Sequence, residues 1–530
     1  MLGSSARCLS PARLGSSGVY FGPMTQRADV PHEPGRVRKP GRCAALLGLD
    51  LGSSSLKALL LSLDGRVLGE RSVGYPTLAP APGWAEQDPE QWWAAAGQAS
   101  RLVLDDAGDG VEVVGIGLSG QMHTFVLLGA DGRPVRNAIT WMDTRAVDLL
   151  PEVSATIDAA GLRHELANPV VLGLSLPPLL WLQTNEPASL AGARTLLLAK
   201  DTLRERLTGC VGSEVTDASA TLLFDVAGRR WSTGTAEAFG LPIDLLPPLG
   251  EPGGVAGCLT KAAAGHLGLV AGIPVAFGAG DQQAAAVGTG TVRPGQVQLM
   301  VGTGAQALLV SGEAPSGADA ERLHAFCHAR GWLLQASVNN AGVALDWVRS
   351  LLGLSWPDVY GSLGDGPDRA PVFLPYLTGE RAPLMKGHAR GGWLGLEPAH
   401  DRYALARAAV SGVVTAIADG LRSLPMVGDE PVRAAGGGMR DPTFAQAVAD
   451  ASGRTLDLLD AAAASAVGAA LLGGVAAGVY EELDDAVAAA PALVAARYTP
   501  RPERFAAWTV LCDRFHCLDA AGLHEIVARA

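Results

Sequence analysis

One short pattern occurs twice in this chain, and it limits the available folds more than any other feature. Ala44 to Leu51 (AALLGLDL) is an apolar run, Gly52-Ser53-Ser54-Ser55 is a turn, and a second apolar run, LKALLLSL, follows. VQLMV, Gly302-Thr303-Gly304 and AQALLVSG repeat the pattern about 250 residues later. Short apolar runs bounded by small residues read as buried strands. A repeat of this length marks a duplicated domain and not a solenoid. At 530 residues the chain is also too long for one ordinary core. The expected fold is α/β, with two domains meeting across a cleft.

The intervening sequence fits that plan. Asp64-Gly65 and Asp131-Gly132 are hairpin signals, and RVLGERSV reads as a third strand. Asp88 and Pro89 predict a helix start after PGWAEQDPEQWW. VEVVGIGLSG, QMHTFVLLG and IPVAFGAG read as strands, DTLRERLTG as a helix. Later come a long helix in DRYALARAAVSGVVTAIADGLRSL, a strand in VRAAGGG and a helix in DPTFAQAVADASG. The expected organisation is an N-terminal extension without order over 1–43, a first domain over 44–291, a second over 292–500, and a helical tail over 501–530.

Hydrophobic residues at 48% and charged residues at 18% describe a well-buried chain. A net charge of −12 argues against a nucleic-acid partner, because phosphate backbones need a concentrated basic surface. The seven cysteines are scattered without a CxxC pair, which suggests neither zinc nor a disulfide framework. Reduced thiols in the cytoplasm are expected. Apolar stretches break off before the roughly 20 residues of a membrane span, so no membrane is expected. The first 43 residues lack the apolar core of a secretory signal.

The glycine loops carry the chemistry. In the first, Asp50 to Ser55, small residues let the amides of Gly52, Ser53 and Ser54 approach phosphate oxygens. Asp50 could hold hydrated magnesium. An ordinary Gly/Ser turn is the bland alternative. The second loop, Gly302-Thr303-Gly304, strengthens the functional reading, since facing loops can enclose a polyphosphate. Gly436-Gly437-Gly438, followed by Arg440, could admit an adenine ring or form only a crowded turn. Lys57 is taken as a further nucleotide contact. Gly115 to Gly120 matches GxGxxG, but a β-like segment follows it where a dinucleotide fold needs a helix. No GxxxxGK[ST] run is present.

Asp281, at the end of IPVAFGAG, suits a general base for a substrate hydroxyl, and equally suits a helix cap. Gln121, Met122 and His123 follow another strand end. His123 and Asp143, with Arg145, could bond a polyol, and Trp84 could stack on a sugar or pack in a core.

Together these segments resemble the FGGY carbohydrate kinases over about residues 44 to 507. LLGLDLGSSSLKALLLSLDGRVL is similar to the family's first phosphate motif. GIGLSGQMHTFVLLGADGRPVRNAITWMDTRA, AKDTLRERLTG, SEVTDASATLLFDVAGRRWS, FLPYLTGERAPL and ARGGWLGLEPAHDRYALARAAVSGV resemble segments of its pentulose branch. The resemblance implies two actin-like (ribonuclease H-like) ATPase domains closing on ATP and a sugar, with Mg2+. It implies phosphorylation of a ketopentose, D-xylulose to D-xylulose 5-phosphate, with ribulose, gluconate or glycerol as alternatives. A non-catalytic actin-like ATP-binding protein is the remote alternative, and homodimerisation is left open. It makes Asp281 the proton acceptor, sets Met122 and His123 at the sugar, gives Gly302 and Thr303 to phosphate and the 436 glycines to adenosine. Pro178 stands where the family usually has Lys, Thr124 where Gly is usual, and Ser411 where Glu is common. Thr124 lies beside the sugar contacts and is expected to narrow the pocket.

Overall fold

A computed structural model describes residues 42–315, 322–364 and 371–520. The expected extension over 1–43, with Cys8, lies almost wholly outside the described residues, as does the end of the tail.

The first apolar run forms the strand Cys43–Leu51, paired antiparallel with Ser55–Ser62, which pairs in turn with Val67–Gly74 across the Asp64-Gly65 turn. On its other side Cys43–Leu51 runs parallel to Val111–Gly120. A parallel neighbour needs a crossover, and the helix Pro89–Ala107 supplies it. That helix starts where expected: Asp88 accepts from the Glu90 amide at 2.9 Å, and Pro89 takes the first turn. Pro274–Ala276 and Ala279–Gly280 pair with the far side of Val111–Gly120.

The second half repeats this plan. Val297–Val301 pairs antiparallel with Ala305–Ser311, and that strand with Trp332–Val338. His324–Cys327 forms the edge. On the other side Val297–Val301 runs parallel to Val432–Ala435, which is parallel to Leu456–Asp460. Each sheet has seven strands. In both, the strand carrying the apolar run lies between its hairpin partner and a parallel neighbour. The sequence repeat is therefore a repeat of topology.

The helix Arg402–Ser423 is capped by Asp401, which accepts from the amides of Tyr403 and Ala404. It is long and apolar enough to cross a membrane, contrary to the reading of the apolar runs, but 72% of its most apolar stretch is buried in the protein. It packs with Phe373, Val432 and Phe444 as a core helix of the second half. The tail forms the helix Pro502–Ala520, whose Trp508 and Phe515 are buried in the same core.

A second late helix, Ala464–Ala476, lies over the first sheet. It explains the GxGxxG match, which sits inside a strand. A Cβ on Gly117 would lie 1.8 Å from the Ala469 carbonyl oxygen, one on Gly48 2.1 Å from that of Ala466, and one on Gly115 2.6 Å from that of Gly473. The same helix presses on Asp281–Gly288, where a Cβ on Gly468 would lie 1.8 Å from the Ala284 oxygen. These glycines let a helix backbone rest directly on the first sheet and on the helix that begins with Asp281.

Candidate active site

The first hairpin turn is held from behind. Its carbonyls are all taken: Gly52 accepts from the Tyr75 hydroxyl, Ser53 from Gln87 Nε2 at 2.7 Å, and Ser54 from the Tyr75 amide at 3.1 Å. The amides of Ser53 and Ser54 make no hydrogen bond among the described residues. A turn whose oxygens are tied back and two of whose N–H groups are free can receive an anion, although the Gly52 amide, expected among the phosphate donors, is tied to the Ser55 oxygen at 3.0 Å. The Ser53 hydroxyl is also fixed, 2.9 Å from the Trp141 indole nitrogen. In the second turn Gly302 N bonds Gly304 O at 2.8 Å, while the amides of Thr303 and Gly304 make no bond among the described residues. The carbonyls of Gly302 and Thr303 accept from Gly342 and Val343 at the start of the helix Gly342–Leu352.

The turn at 436–438 adjoins this second cradle. Gly436 has φ of 101°, and a Cβ there would meet the Val301 oxygen at 2.3 Å, so only glycine fits. Gly437 is open on its Cβ side and Arg440 is exposed. Lys57, opposite Asp50 in the strand register, lies 3.6 Å from Glu70 and acts on Asp50 through its charge.

Asp50 ends the central strand of the first sheet. Burial raises its pKa, against the Ser119 hydroxyl that bonds it at 2.6 Å and the Lys57 charge. Asp281 is enclosed by protein yet still reached by solvent. Burial, then the charge of Asp50, pushes it up to about 7, against the Gln282 amide that bonds it at 2.7 Å. The helix starts at Asp281 itself, with Gly280 in the N-cap position and no side-chain cap, so the expected cap role is not seen, and a carboxyl raised towards neutrality suits a proton acceptor. Its peptide is clamped on both sides. Gly280 N donates to Thr216 Oγ1 at 3.1 Å, and Ser465 Oγ donates to Asp281 O at 3.2 Å.

Two opposed carboxylates suit a hard divalent cation. Among the described residues no group of three His, Cys, Asp or Glu could hold a metal. A magnesium ion would therefore take Asp50, water and nucleotide oxygens as ligands.

Met122 is 5% exposed and packs with Ala220 and Phe326; a Cβ on Gly280 would meet its Cγ at 2.8 Å. The side chain thus lies beside Asp281. His123 adopts φ of 69°, with Nδ1 2.7 Å from the Ala220 oxygen. A carbonyl only accepts, so Nδ1 carries the proton and Nε2 is an acceptor. Burial takes its pKa down to about 4; the Ala220 bond works against this and the Arg381 charge with it. Gln121 is buried, its Nε2 on Gln87 Oε1 at 2.8 Å.

Three expectations need correction. Asp143 has no room for a sugar hydroxyl. Its oxygens accept from the Ala85 and Arg145 amides and from Arg145 Nε and Nη2, at 2.6–2.9 Å, which fills a carboxylate's four acceptor positions. Trp84 lies against Arg145, whose guanidinium carbon is 3.8 Å from its ring centre, with Trp181 edge-on at 5.2 Å. Arg145 also pairs with Glu86, which holds Arg136 in turn, so Trp84 covers one end of an ion-pair network. Thr124 is fully buried and its hydroxyl accepts from the Trp141 amide at 3.3 Å, so it does not narrow the pocket.

Sequence reading missed the supports. Tyr75, Gln87 and Trp141 carry no motif of their own. Lys200 is fully buried among Asp201, Glu214 and Asp217 at 2.9, 3.1 and 3.3 Å. Burial opposes its charge, but the three carboxylates outweigh burial and raise its pKa. The density of charge in AKDTLRERLTG and SEVTD was the one available cue.

The site and the doubled sheet define a two-domain actin-like phosphotransferase. Residues 45–288 match the N-terminal domain, and 297–477 the C-terminal domain, of the FGGY family of carbohydrate kinases. A xylulose kinase of Escherichia coli (strain K12) is 36% identical over 480 residues, 89% of this chain and 98% of that protein. One of Klebsiella pneumoniae is 37% identical over 447 residues, 83% of this chain and 91% of that protein. The crystal structure of a xyloylose kinase from Brucella ovis has a TM-score of 0.84 at 35% identity, covering 91% of this chain and 100% of that one. The chain belongs to the FGGY family of carbohydrate kinases. It is a sugar kinase that uses ATP with Mg2+.

Proposed function

We propose that this kinase phosphorylates a ketopentose, D-xylulose to D-xylulose 5-phosphate, at a site placed around Asp281. The observation that carries the reading is the Asp281 carboxylate, pushed up to about 7 by burial and by Asp50, with Met122 packed against the preceding Gly280 and His123 following Met122 in the chain. The relatives named xylulose kinase support the choice of sugar.

In this reading Asp281 accepts the proton of the terminal hydroxyl as that oxygen attacks the γ-phosphorus and the bond to ADP breaks. The free amides of Ser53, Ser54, Thr303 and Gly304 bind the phosphates, with Lys57 as a nearby charge. Gly436, Gly437, Gly438 and Arg440 border adenosine. Asp50 holds magnesium, which when bound neutralises charge on the phosphates. His123 Nε2 accepts from a sugar hydroxyl, Met122 packs on the carbon skeleton, and Gln121 supports both from below. The first domain spans 44–291 and the second 292–500, and the enzyme acts in the cytoplasm.

An ADP-release assay over D-xylulose, D-ribulose, gluconate and glycerol tests the reading. D-xylulose is expected to give the highest kcat/KM. Rapid turnover of another acceptor with D-xylulose inert would keep the kinase and overturn the sugar.

A further inference from the structure

The sugar-side residues considered so far all come from the first half of the chain. Three features of the second half converge on the same place. Phe326, from the strand His324–Cys327, lies 6.2 Å from the His123 ring and 5.9 Å from the His324 ring, measured between centres, and also touches Met122. Arg381 crosses to the first half, where Nη2 donates to the Leu172 oxygen at 3.3 Å. The backbone there leaves it space. Gly173 has φ of 93°, and a Cβ on it would lie 3.3 Å from Arg381 Nη2. Ser175, two residues on, bonds the His123 carbonyl at 2.8 Å. The Arg381 charge is felt by both imidazoles.

The tautomer of His324 follows from its neighbour. Asn168 Nδ2 donates to the carbonyls of Leu166 and Ala325, at 3.1 and 2.7 Å, which fixes Oδ1 as the acceptor facing His324 Nδ1 at 3.2 Å. Nδ1 therefore carries the proton. Nε2 is left as a lone-pair acceptor with no partner among the described residues, on a side chain whose residue is 4% exposed. Such an orphan costs free energy unless a ligand fills it. Arg381 is the opposite case: a donor-only group with one bond to a carbonyl and no carboxylate within ion-pair distance among the described residues.

We propose that His324 and Arg381 complete the acceptor-sugar site, His324 Nε2 accepting from a hydroxyl and Arg381 donating to the carbonyl oxygen of a ketose. A carbonyl oxygen only accepts and a guanidinium only donates, whereas two imidazole acceptors suit hydroxyl protons. This set of groups matches an α-hydroxy ketone better than the fully reduced polyol. The inference rests on the ketopentose reading above.

The test compares Arg381→Gln and His324→Asn with the parent on D-xylulose, on xylitol and on ATP. Asn keeps a donor towards Asn168 and removes the Nε2 acceptor together with the ring that stacks on Phe326. Arg381→Gln is expected to raise the D-xylulose KM about 10- to 100-fold, the effect of a hydrogen bond to a charged group, and His324→Asn about fivefold. KM for ATP and the ATP-induced rise in melting temperature should stay within twofold and about 1 °C of the parent, by the linkage that ties that rise to nucleotide affinity. Arg381→Gln should also lower the preference for D-xylulose over xylitol about tenfold or more. Variants that melt like the parent and keep its D-xylulose KM, or that lose ketose and polyol equally, overturn this inference alone. A parent that phosphorylates neither compound overturns the ketopentose reading and this inference with it.

Discussion

Asp281 and Gly302 separate chemistry from folding at single positions. Asp281→Asn should lower kcat by about 10²–10⁴, the range for a lost general base, with the fold intact. The parent's kcat/KM for sugar should rise with pH through about 7 and then level, because the carboxylate must be ionised to accept a proton. The variant should lose that limb. Stability moves the other way. A carboxyl raised from 3.8 to about 7 on folding favours the protonated native state, so its contribution is complete below about 4 and is lost as pH rises through about 7. Asp281→Asn should therefore melt progressively higher relative to the parent across that window, and a constant difference in calorimetric scans would contradict the shifted carboxyl. Gly302 has open space on its Cβ side. Gly302→Val should melt like the parent and raise KM for ATP about tenfold or more by blocking an amide contact to phosphate. An unchanged KM would remove this loop from the site.

At the level of elements, local rules read the chain well where strands and caps obey them. Asp88-Pro89, Asp401 and Asp441-Pro442 mark helix starts because side-chain capping is local. Gly115 and Gly117 show where such reading stops. Their spacing mimics a nucleotide motif, yet they serve a helix some 350 residues later in the chain, and no local pattern encodes that contact. Asp143 looked available because sequence does not reveal that Arg145 and Ala85 already fill its oxygens. Arg381 escaped notice because its target, Leu172, lies about 200 residues away. Gly117→Ala should destabilise the protein by about 1–3 kcal/mol in urea unfolding, since a methyl group would press on a helix carbonyl and force backbone movement. A neutral result would mean that the helix can ride higher on the sheet at no cost.

For the whole molecule, the two halves contribute unequal parts of the reaction. Asp50 lies in a strand of the first sheet and Asp281 opens the helix that follows its Ala279–Gly280 strand, whereas Gly302 and the 436 turn adjoin strands of the second. EDTA should abolish turnover and weaken ATP binding while leaving calorimetric sugar binding unchanged, because the sugar residues need no cation. Loss of sugar affinity on chelation would place the ion among the sugar contacts. The helix Ala464–Ala476 also has a consequence for how the protein is made. The glycine face of the first sheet stays bare until that helix has been synthesised, roughly 180 residues after Asp281–Gly288. At about 5–20 residues per second a ribosome needs about 10–35 s for that stretch. The growing chain, more than the finished enzyme, is the form that exposes apolar surface to its neighbours. A message truncated before codon 464 would yield a first half that lacks its cover, and not merely a protein without its second.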